Sequence, residues 1–287
     1  MMNDLILAIG RNNIILRLSQ DSGVKLSELA ELLGLSVTPA ASTVCADVLA
    51  DTGNDSVCSD ESPIFTTGPL AVFFNRKEQN FRLNFLYPLP ELKLVHKIYI
   101  YQVMITFGVL SAMLRGIKLI PVHGALLDNG SEALLLCGES GVGKSTTARR
   151  WRESGSQCYA DDLILIDYSG KEFFAHPLPT WSICKESLKG QFYPFNRKLP
   201  LKSVFGLSRG EVREYIAPIP EDDFLAQLYR SAFFHILAIG GCLPEKEQKR
   251  LGNTVWSGVE NLAAKFPPCG LFAHLKGDLK STLGGYL

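Results

Sequence analysis

The sequence predicts a mixed α/β protein with a phosphate-binding loop at the centre of its larger part and a small α+β unit in front. Three observations carry this. Residues Gly138 to Ser145 read G-E-S-G-V-G-K-S, a full match to G-x-x-x-x-G-K-[ST]. The loop lies between an apolar run, Ala133-Leu134-Leu135-Leu136-Cys137, and a stretch of helical composition from Ser145 to Arg152. The first ninety or so residues show two hairpin patterns and a short amphipathic helix, with no loop of this kind.

In chain order, Leu5 to Ile9 and Ile14 to Leu18 flank Gly10-Arg11-Asn12-Asn13, a turn-prone tetrad, and read as a hairpin. Val24 to Leu33 reads as a helix with Leu26, Leu29, Leu32 and Leu33 on one face and Gly34 as its stop. Residues 51–62 are acidic and polar and read as an exposed loop. Ala71 to Phe74 and Phe81 to Phe85 form a second hairpin. The segment 1–90 is therefore expected to be a small antiparallel α+β accessory domain, with Tyr87-Pro88-Leu89-Pro90 as the boundary and 91–287 as the main domain.

Ile98 to Leu114 is free of charge and just long enough to raise the question of a membrane span. It contains Gln102 and Thr106 and runs within a few residues into the strand before the loop, so a helix buried inside the protein is expected. Ile117 to Asp128 reads as a strand, and Asp128-Asn129-Gly130-Ser131 turns it into the strand that feeds the loop. That makes an antiparallel pair and a mixed sheet.

Beyond the loop, a helix from Ser145 to about Gly155 runs roughly 13 Å away from the loop. A strand Gln157 to Ala160 climbs back over about the same length and delivers Asp161-Asp162 to the level of the loop. Leu163 to Asp167 looks superficially like a strand ending in a metal-binding aspartate. With Tyr168 to Lys171 as a turn and Glu172 to His176 as the returning strand, Asp167 falls at a hairpin tip instead. That register sets His176 opposite Leu163, beside Asp162, and puts the Pro179-Thr180-Trp181-Ser182 loop next to it. Leu201 to Leu207 is strand-like, and Glu221 to Ile239 and Val255 to Phe266 read as helices.

Bulk properties set limits. The chain has 287 residues, 46% of them hydrophobic, and a formal net charge of zero. Zero net charge argues against nucleic acid or an anionic membrane as the main partner. The seven cysteines form no C-x-x-C pair and no zinc-spaced cluster, as expected of free thiols in a cytosolic protein. Met1-Met2-Asn3-Asp4 lacks the basic stretch of a secretory leader, which gives the same expectation. Self-association is left open.

The loop pattern itself implies a nucleotide. Gly138, Gly141 and Gly143 let the backbone N–H groups of Glu139, Ser140, Val142 and their neighbours turn towards an anion. Lys144 would reach the β- and γ-phosphates, Ser145 would ligate Mg²⁺, and Thr146 follows on the first helical turn. The expected ligands are ATP and Mg²⁺. A glycine-rich turn matching by chance is the bland alternative, and the strand and helix on either side argue against it.

His123-Gly124-Ala125-Leu126-Leu127-Asp128, the loop with its following Thr146-Thr147-Ala148, Gly155 and Ala160-Asp161-Asp162 together resemble the C-terminal kinase domain of the HPr kinase/phosphorylase family. That family shares its core with phosphoenolpyruvate carboxykinases. The resemblance runs in order and spacing from His123 to Asp162. It implies an HPr kinase/PEP-carboxykinase-like core and an ATP- and Mg²⁺-dependent kinase acting on a Ser/Thr hydroxyl of a peptide or small protein. It further implies Asp161 as the base, His123 hydrogen-bonded to it, Lys144 on the phosphates and Asp162 with Ser145 on the metal; the labels of the two aspartates can be exchanged. The family's second signature, Glu-Val/Ile-Arg-Gly-Leu-Gly, is absent, and Gly210-Glu211-Val212-Arg213-Glu214 is a faint echo of it. HPr as acceptor and the reverse phosphorylase reaction are therefore not expected.

Length, the N-terminal unit and the Trp181 loop also resemble HPr-kinase-related proteins of ribosomal-peptide biosynthesis, among them kinases of lasso precursor peptides. His176 and Trp181 are then expected on the acceptor or phosphate side. Arg197, Arg209 and Arg213 are candidates for phosphate or an acidic substrate, or simply surface charges. The competing functions are a kinase for a small metabolite such as serine, and a non-catalytic nucleotide-binding regulator. A carboxykinase is disfavoured, because no metal-binding Lys/His pair can be placed.

Overall fold

A computed structural model of the chain describes residues 2–9, 12–19, 26–35, 46–51, 62–67, 70–85, 94–178, 195 and 198–286. It is a mixed α/β structure with two sheets.

The first sheet has six strands. β1 (Met2–Ile9) and β2 (Asn12–Ser19) pair antiparallel, with Leu5 opposite Leu16 and Leu7 opposite Ile14. Helix α1 (Leu26–Leu33) packs on β1 and buries Leu29, Ala30 and Leu33, and Gly34 at φ 63° ends it. Val24 and Lys25 lie outside the described residues. β3 (Ala46–Asp51) was not anticipated from A-D-V-L-A-D, where acids bracket a short apolar run. It lies between β2 and a later strand and runs parallel to both. β4 (Phe65–Thr67), β5 (Leu70–Asn75) and β6 (Asn80–Phe85) complete the order β1-β2-β3-β6-β5-β4. The β5–β6 hairpin stands as read, its turn held by Asn75 Oδ1, which accepts from the backbone N–H of Lys77 and Glu78 at 3.0 and 3.1 Å. The expectation of an antiparallel unit is corrected: the sheet is mixed, because the crossover through α1 returns the chain parallel to β2. Residues 52–61 and the Tyr87 to Pro90 boundary lie outside the described residues.

Helix α2 (Leu94–Leu114) contains the uncharged segment Ile98 to Leu114. It packs against β2, β3 and β6 of the first sheet and against the second sheet and its covering helix on the other side. Ile100, Met104, Phe107, Leu110, Met113 and Leu114 are all buried. Apolar residues all round are what a helix between two layers requires. The buried Ser111 Oγ donates to the Gln79 carbonyl at 2.7 Å. Among the described residues no helix is long and apolar enough to cross a membrane.

The second sheet has eight strands: β7 (Leu119–Asp128), β8 (Ala133–Cys137), β9 (Gln157–Ala160), β10 (Leu163–Asp167), β11 (Phe174–Pro177), β12 (Leu199–Arg209), β13 (Tyr215–Pro218) and β14 (Cys269–Ala273). The path is β11-β10-β7-β8-β12-β14-β13, with β9 beside β7 and a further β11–β12 pairing that closes a ring of five strands. β7 changes partners at its middle. Its residues Leu119 to His123 pair with β10, and Gly124 to Asp128 pair with β8. A Cβ on Gly124 would stand 2.7 Å from the Leu136 carbonyl oxygen, so only glycine lets β7 and β8 come this close.

Side chains along β8 alternate. Leu134 and Leu136 face α3 (Lys144–Glu153) and α6 (Leu279–Leu283), joining Ala148, Trp151, Leu279 and Leu283. Leu135 and Cys137 face the larger core, with α4 (Glu221–Gly240) and α5 (Glu245–Lys265). Helix α5 starts ten residues before the expected Val255, since its first half, rich in Glu, Lys and Gln, carries little apolar signal.

The α5 contact with the sheet makes a testable point. A Cβ on Gly258 would meet Ile120 Cγ2 at 2.5 Å and Tyr168 Cε1 at 3.2 Å. Gly258→Ala gains helix propensity of about 1 kcal/mol but overpacks a core, which costs about 1–3 kcal/mol. A lower urea midpoint is expected for Gly258→Ala, with a larger drop for Gly258→Val; an unchanged midpoint for Gly258→Val would show that α5 is not seated as described.

Candidate functional site

β8 ends at Cys137, and the backbone turns at once into the loop. Gly138 is pinned from two sides: a Cβ there would stand 3.0 Å from the Leu207 carbonyl oxygen and 3.1 Å from Val142 Cγ1. Its N–H donates to Ser231 Oγ of α4 at 3.3 Å. Gly141 at φ 79° and Gly143 at φ 119° take left-handed backbone, and Gly143 caps α3 without a side-chain cap. The loop therefore leads directly to a helix N-terminus whose first N–H groups have no side-chain acceptor of their own.

Lys144, the first residue of α3, is buried and bends back over the loop. Its Nζ donates to the Gly138 carbonyl at 2.8 Å and the Glu139 carbonyl at 3.0 Å. Burial pulls its ammonium below the ordinary lysine value; Cys137 and Asp162 act in the opposite sense. Asp162 is thus within electrostatic range of Lys144. Ser145 is exposed at the loop mouth, Thr146 half-buried, and Thr147 buried, its N–H donating to the Gly143 carbonyl at 2.8 Å. Burial pushes the neighbouring Cys137 thiol up to about 12, so it stays protonated and acts as a small apolar residue.

β9 and β10 run along the same side of β7, interrupted at Asp161-Asp162. At the interruption the Gly124 N–H donates to the Asp162 carbonyl at 3.0 Å. This fixes Asp162 beside His123, whose Nδ1 stands 2.8 Å from Asp162 Oδ1; the two side chains are 17% and 20% exposed. The contact expected between His123 and Asp161, with the two aspartate labels exchangeable, is instead the 2.8 Å contact with Asp162. Neighbours on a strand end point to opposite sides, and the side chain on the histidine's side is that of Asp162. Asp161 is buried, and the Cys158 thiol lies within range of its charge.

His176 is also corrected. The turn between β10 and β11 spans six residues, Tyr168 to Phe173, two more than expected, so His176 pairs with Leu165, not Leu163. It is 1% exposed, its ring lies 4.9 Å from that of Phe195, and its Nδ1 is 3.2 Å from the Phe195 carbonyl oxygen. Burial lowers its pKa, so it is a neutral core residue with no cation to offer a phosphate. Trp181, its loop and Arg197 lie outside the described residues.

Further charged residues stand around the loop; Arg209 and Arg213 are among the expected candidates, whereas Arg150 and Arg230 carry no motif that marks them. Arg209, at the end of β12, donates to the Gly141 carbonyl at 2.8 Å, which gives one of the three candidate arginines a place at the loop. Arg213 instead lies over the Tyr215 ring at 6.0 Å. Arg230 of α4 pairs with Glu139 at 2.5 Å. Arg150 of α3 grips Glu214 at 2.7 Å and the Gly277 carbonyl at 2.6 Å; the Glu214 carboxylate is 1% exposed. The G-E-V-R-E stretch thus contributes a buried anchor for α3. Only the distance in sequence, 64 residues, hid it.

Two clefts flank the loop. One of about 380 Å³ is lined by Glu139, Ser140, Arg209, Asp223, Gln227 and Arg230 among others. The second, of about 550 Å³, opens beside Gly141 to Gly143, Thr146 and Thr147 and reaches Arg209, Gly210, His274 and Leu275.

The chain belongs to the family described as SynChlorMet cassette protein ScmC, whose model matches residues 93–285. The matched segment holds α2, the second sheet and the whole site, and leaves out the first sheet. Among solved structures the chain is similar to the Hpr(Ser) kinase/phosphatase from Coxiella burnetii, at 15% identity and a TM-score of 0.25. That similarity covers 35% of this chain and 64% of the other, less than two thirds of its length. No curated protein matches the chain.

The Arg150–Glu214 pair gives a test of the anchor. Removing one partner of a buried pair leaves the other charge uncompensated and costs about 3–5 kcal/mol. Arg150→Met should lower stability by that order in urea titration, and adding Glu214→Gln should recover part of the loss. A double variant as unstable as the sum of the singles would show that the pair does not interact.

Proposed function

We propose that the chain is an ATP-dependent phosphotransferase that moves the γ-phosphoryl group to a hydroxyl. The reading is carried by one observation: a glycine loop entering α3, a buried lysine folded over that loop, and a His123–Asp162 pair whose carboxylate acts on the same lysine. Backbone N–H groups and Lys144 are the donors a triphosphate needs.

A divalent cation fits the residues present. Among the described residues no group of three or more His, Cys, Asp or Glu could hold an ion alone. Mg²⁺ is held in such sites by one or two protein oxygens together with phosphates and water. The Ser145 hydroxyl would hold it, with Asp161 as carboxylate partner once Asp162 takes the proton. When bound, the ion supplies neutralisation of the phosphate charge.

The His123 contact favours exchanging the two aspartate labels. With His123 Nδ1 2.8 Å from Asp162 Oδ1, a protonated His123 ring would hold the Asp162 carboxylate by charge and orient it. Asp162 would take the acceptor's hydroxyl proton as the new O–P bond forms and the bond from the γ-phosphorus to ADP breaks. Lys144 stabilises charge on the phosphates throughout. For the acceptor, the resemblance of His123 to Asp162 and of the overall organisation supports a Ser/Thr hydroxyl of a peptide or small protein, such as a ribosomal precursor peptide.

Lys144→Ala should abolish transfer while leaving the circular dichroism spectrum intact; normal turnover by that variant would rule out the phosphate-loop mechanism. Asp162→Asn should lower kcat by about 10²–10⁴-fold with little change in ATP affinity, and Asp161→Asn should mainly raise the Mg²⁺ requirement. The reverse pattern would return the base to Asp161. ATP consumption measured with HPr, free serine and Ser-ended peptides tests the acceptor: peptides should be turned over fastest, free serine would indicate a metabolite kinase, and turnover of none would favour a nucleotide-binding regulator.

A further inference from the structure

We propose that the cleft of about 550 Å³ beside α3 receives the ribose and base of the nucleotide, with His274 and Leu275 as its apolar contact. The inference rests on the phosphate-loop reading above and adds the direction in which the nucleotide lies.

The direction follows from where the charges are. Lys144, Asp162 and His123 stand together on the β7 side of the loop, since His123 pairs with Leu163 and neighbours the β8 end. A triphosphate whose terminal group is there must leave the loop on its other side. On that side the first turn of α3, Thr146 and Thr147, forms one wall of the cleft. The ends of β12 and β14 form the other, through Arg209, Gly210, Ala273, His274 and Leu275. A cleft of this size accommodates a nucleoside, and pockets for such ligands combine apolar cover with a few polar groups.

The far wall is built, not loose. The turn after β14 is closed by Gly277 N–H donating to the His274 carbonyl at 2.9 Å. Buried Glu214 accepts from the His274 N–H at 3.3 Å, and Arg150 of α3 grips both Glu214 and the Gly277 carbonyl. A helix that starts at the phosphates therefore also holds the turn that carries His274 and Leu275. Leu275 nonetheless keeps 76% of its surface exposed, and Val212, on the adjoining 210–214 segment, keeps 84%. An exposed leucine on an anchored wall beside a phosphate loop is apolar surface that a base would cover. Arg209 reaches into both clefts and, through Gly141, marks the division between them.

The test separates the nucleoside from the phosphates. Binding of ATP and of inorganic tripolyphosphate, each with Mg²⁺, is measured by calorimetry on the full chain. The unaltered protein should bind ATP more tightly than tripolyphosphate. Leu275→Ser, a change at an exposed position that spares the fold, should weaken ATP several-fold, and His274→Ala combined with it about tenfold or more. Neither should alter tripolyphosphate affinity. Equal loss for both ligands, or no loss of ATP affinity in the double variant, overturns the proposal. If the unaltered protein binds tripolyphosphate and ATP equally, the nucleoside has no site here and this proposal alone fails. If it binds neither, the phosphate-loop reading fails and takes this one with it.

Discussion

The change of strand partners along β7 at Gly124 is the constraint on which the site depends. Upstream of it the strand pairs with β10, and downstream with β8 and β9. The Gly124 N–H closes on the Asp162 carbonyl at the point of change, and the missing Cβ lets β7 approach Leu136. His123 precedes Gly124 by one residue, Asp162 stands against His123 across the gap between β9 and β10, and Cys137 lies opposite Gly124 at the root of the loop. Three separate chain segments are thus brought to one point by a single backbone arrangement. Moving any of them by one residue would turn its side chain to the other face of the sheet.

Around this point, polar groups are buried in matched sets. Lys144 loses solvation but gains two loop carbonyls, and Arg150 gives up water for a bidentate carboxylate and a carbonyl. Trp151, buried one residue later, donates its indole N–H to the Asp128 carbonyl at 3.1 Å. Such groups cost several kcal/mol when left unmatched. α3 is consequently held in place by its polar contacts as well as by Ala148 and Trp151, which fixes the helix that begins at the loop.

Helix α2 joins this core to the first sheet. Each large apolar side chain it buries contributes about 1.5–3 kcal/mol relative to exposure. It touches both sheets, and its buried side chains belong to the same apolar cluster as those of both. That is why a charge-free run of membrane-like length belongs here to a protein interior.

By itself the sequence determined the local chemistry: the loop and its lysine, the strand and helix on either side, and the delivery of two aspartates near the loop. These are set by residues close in the chain, through glycine conformation, hydrophobic period and element length. It also determined the hairpin of β5 and β6. Tertiary structure decided the rest. The β10–β11 turn took six residues instead of four, because no glycine-rich signal fixed its length, and so His176 went to the core. β3 entered the first sheet as a parallel strand, although its six residues carry no strong strand pattern. The choice of Asp162 over Asp161 beside His123 depended on how two strand ends face each other. Arg150 met Glu214 across 64 residues, and Arg209 met Gly141 across 68. Periodicity reports only which face a residue takes on its own element; which faces then meet is settled by packing between elements far apart in the chain.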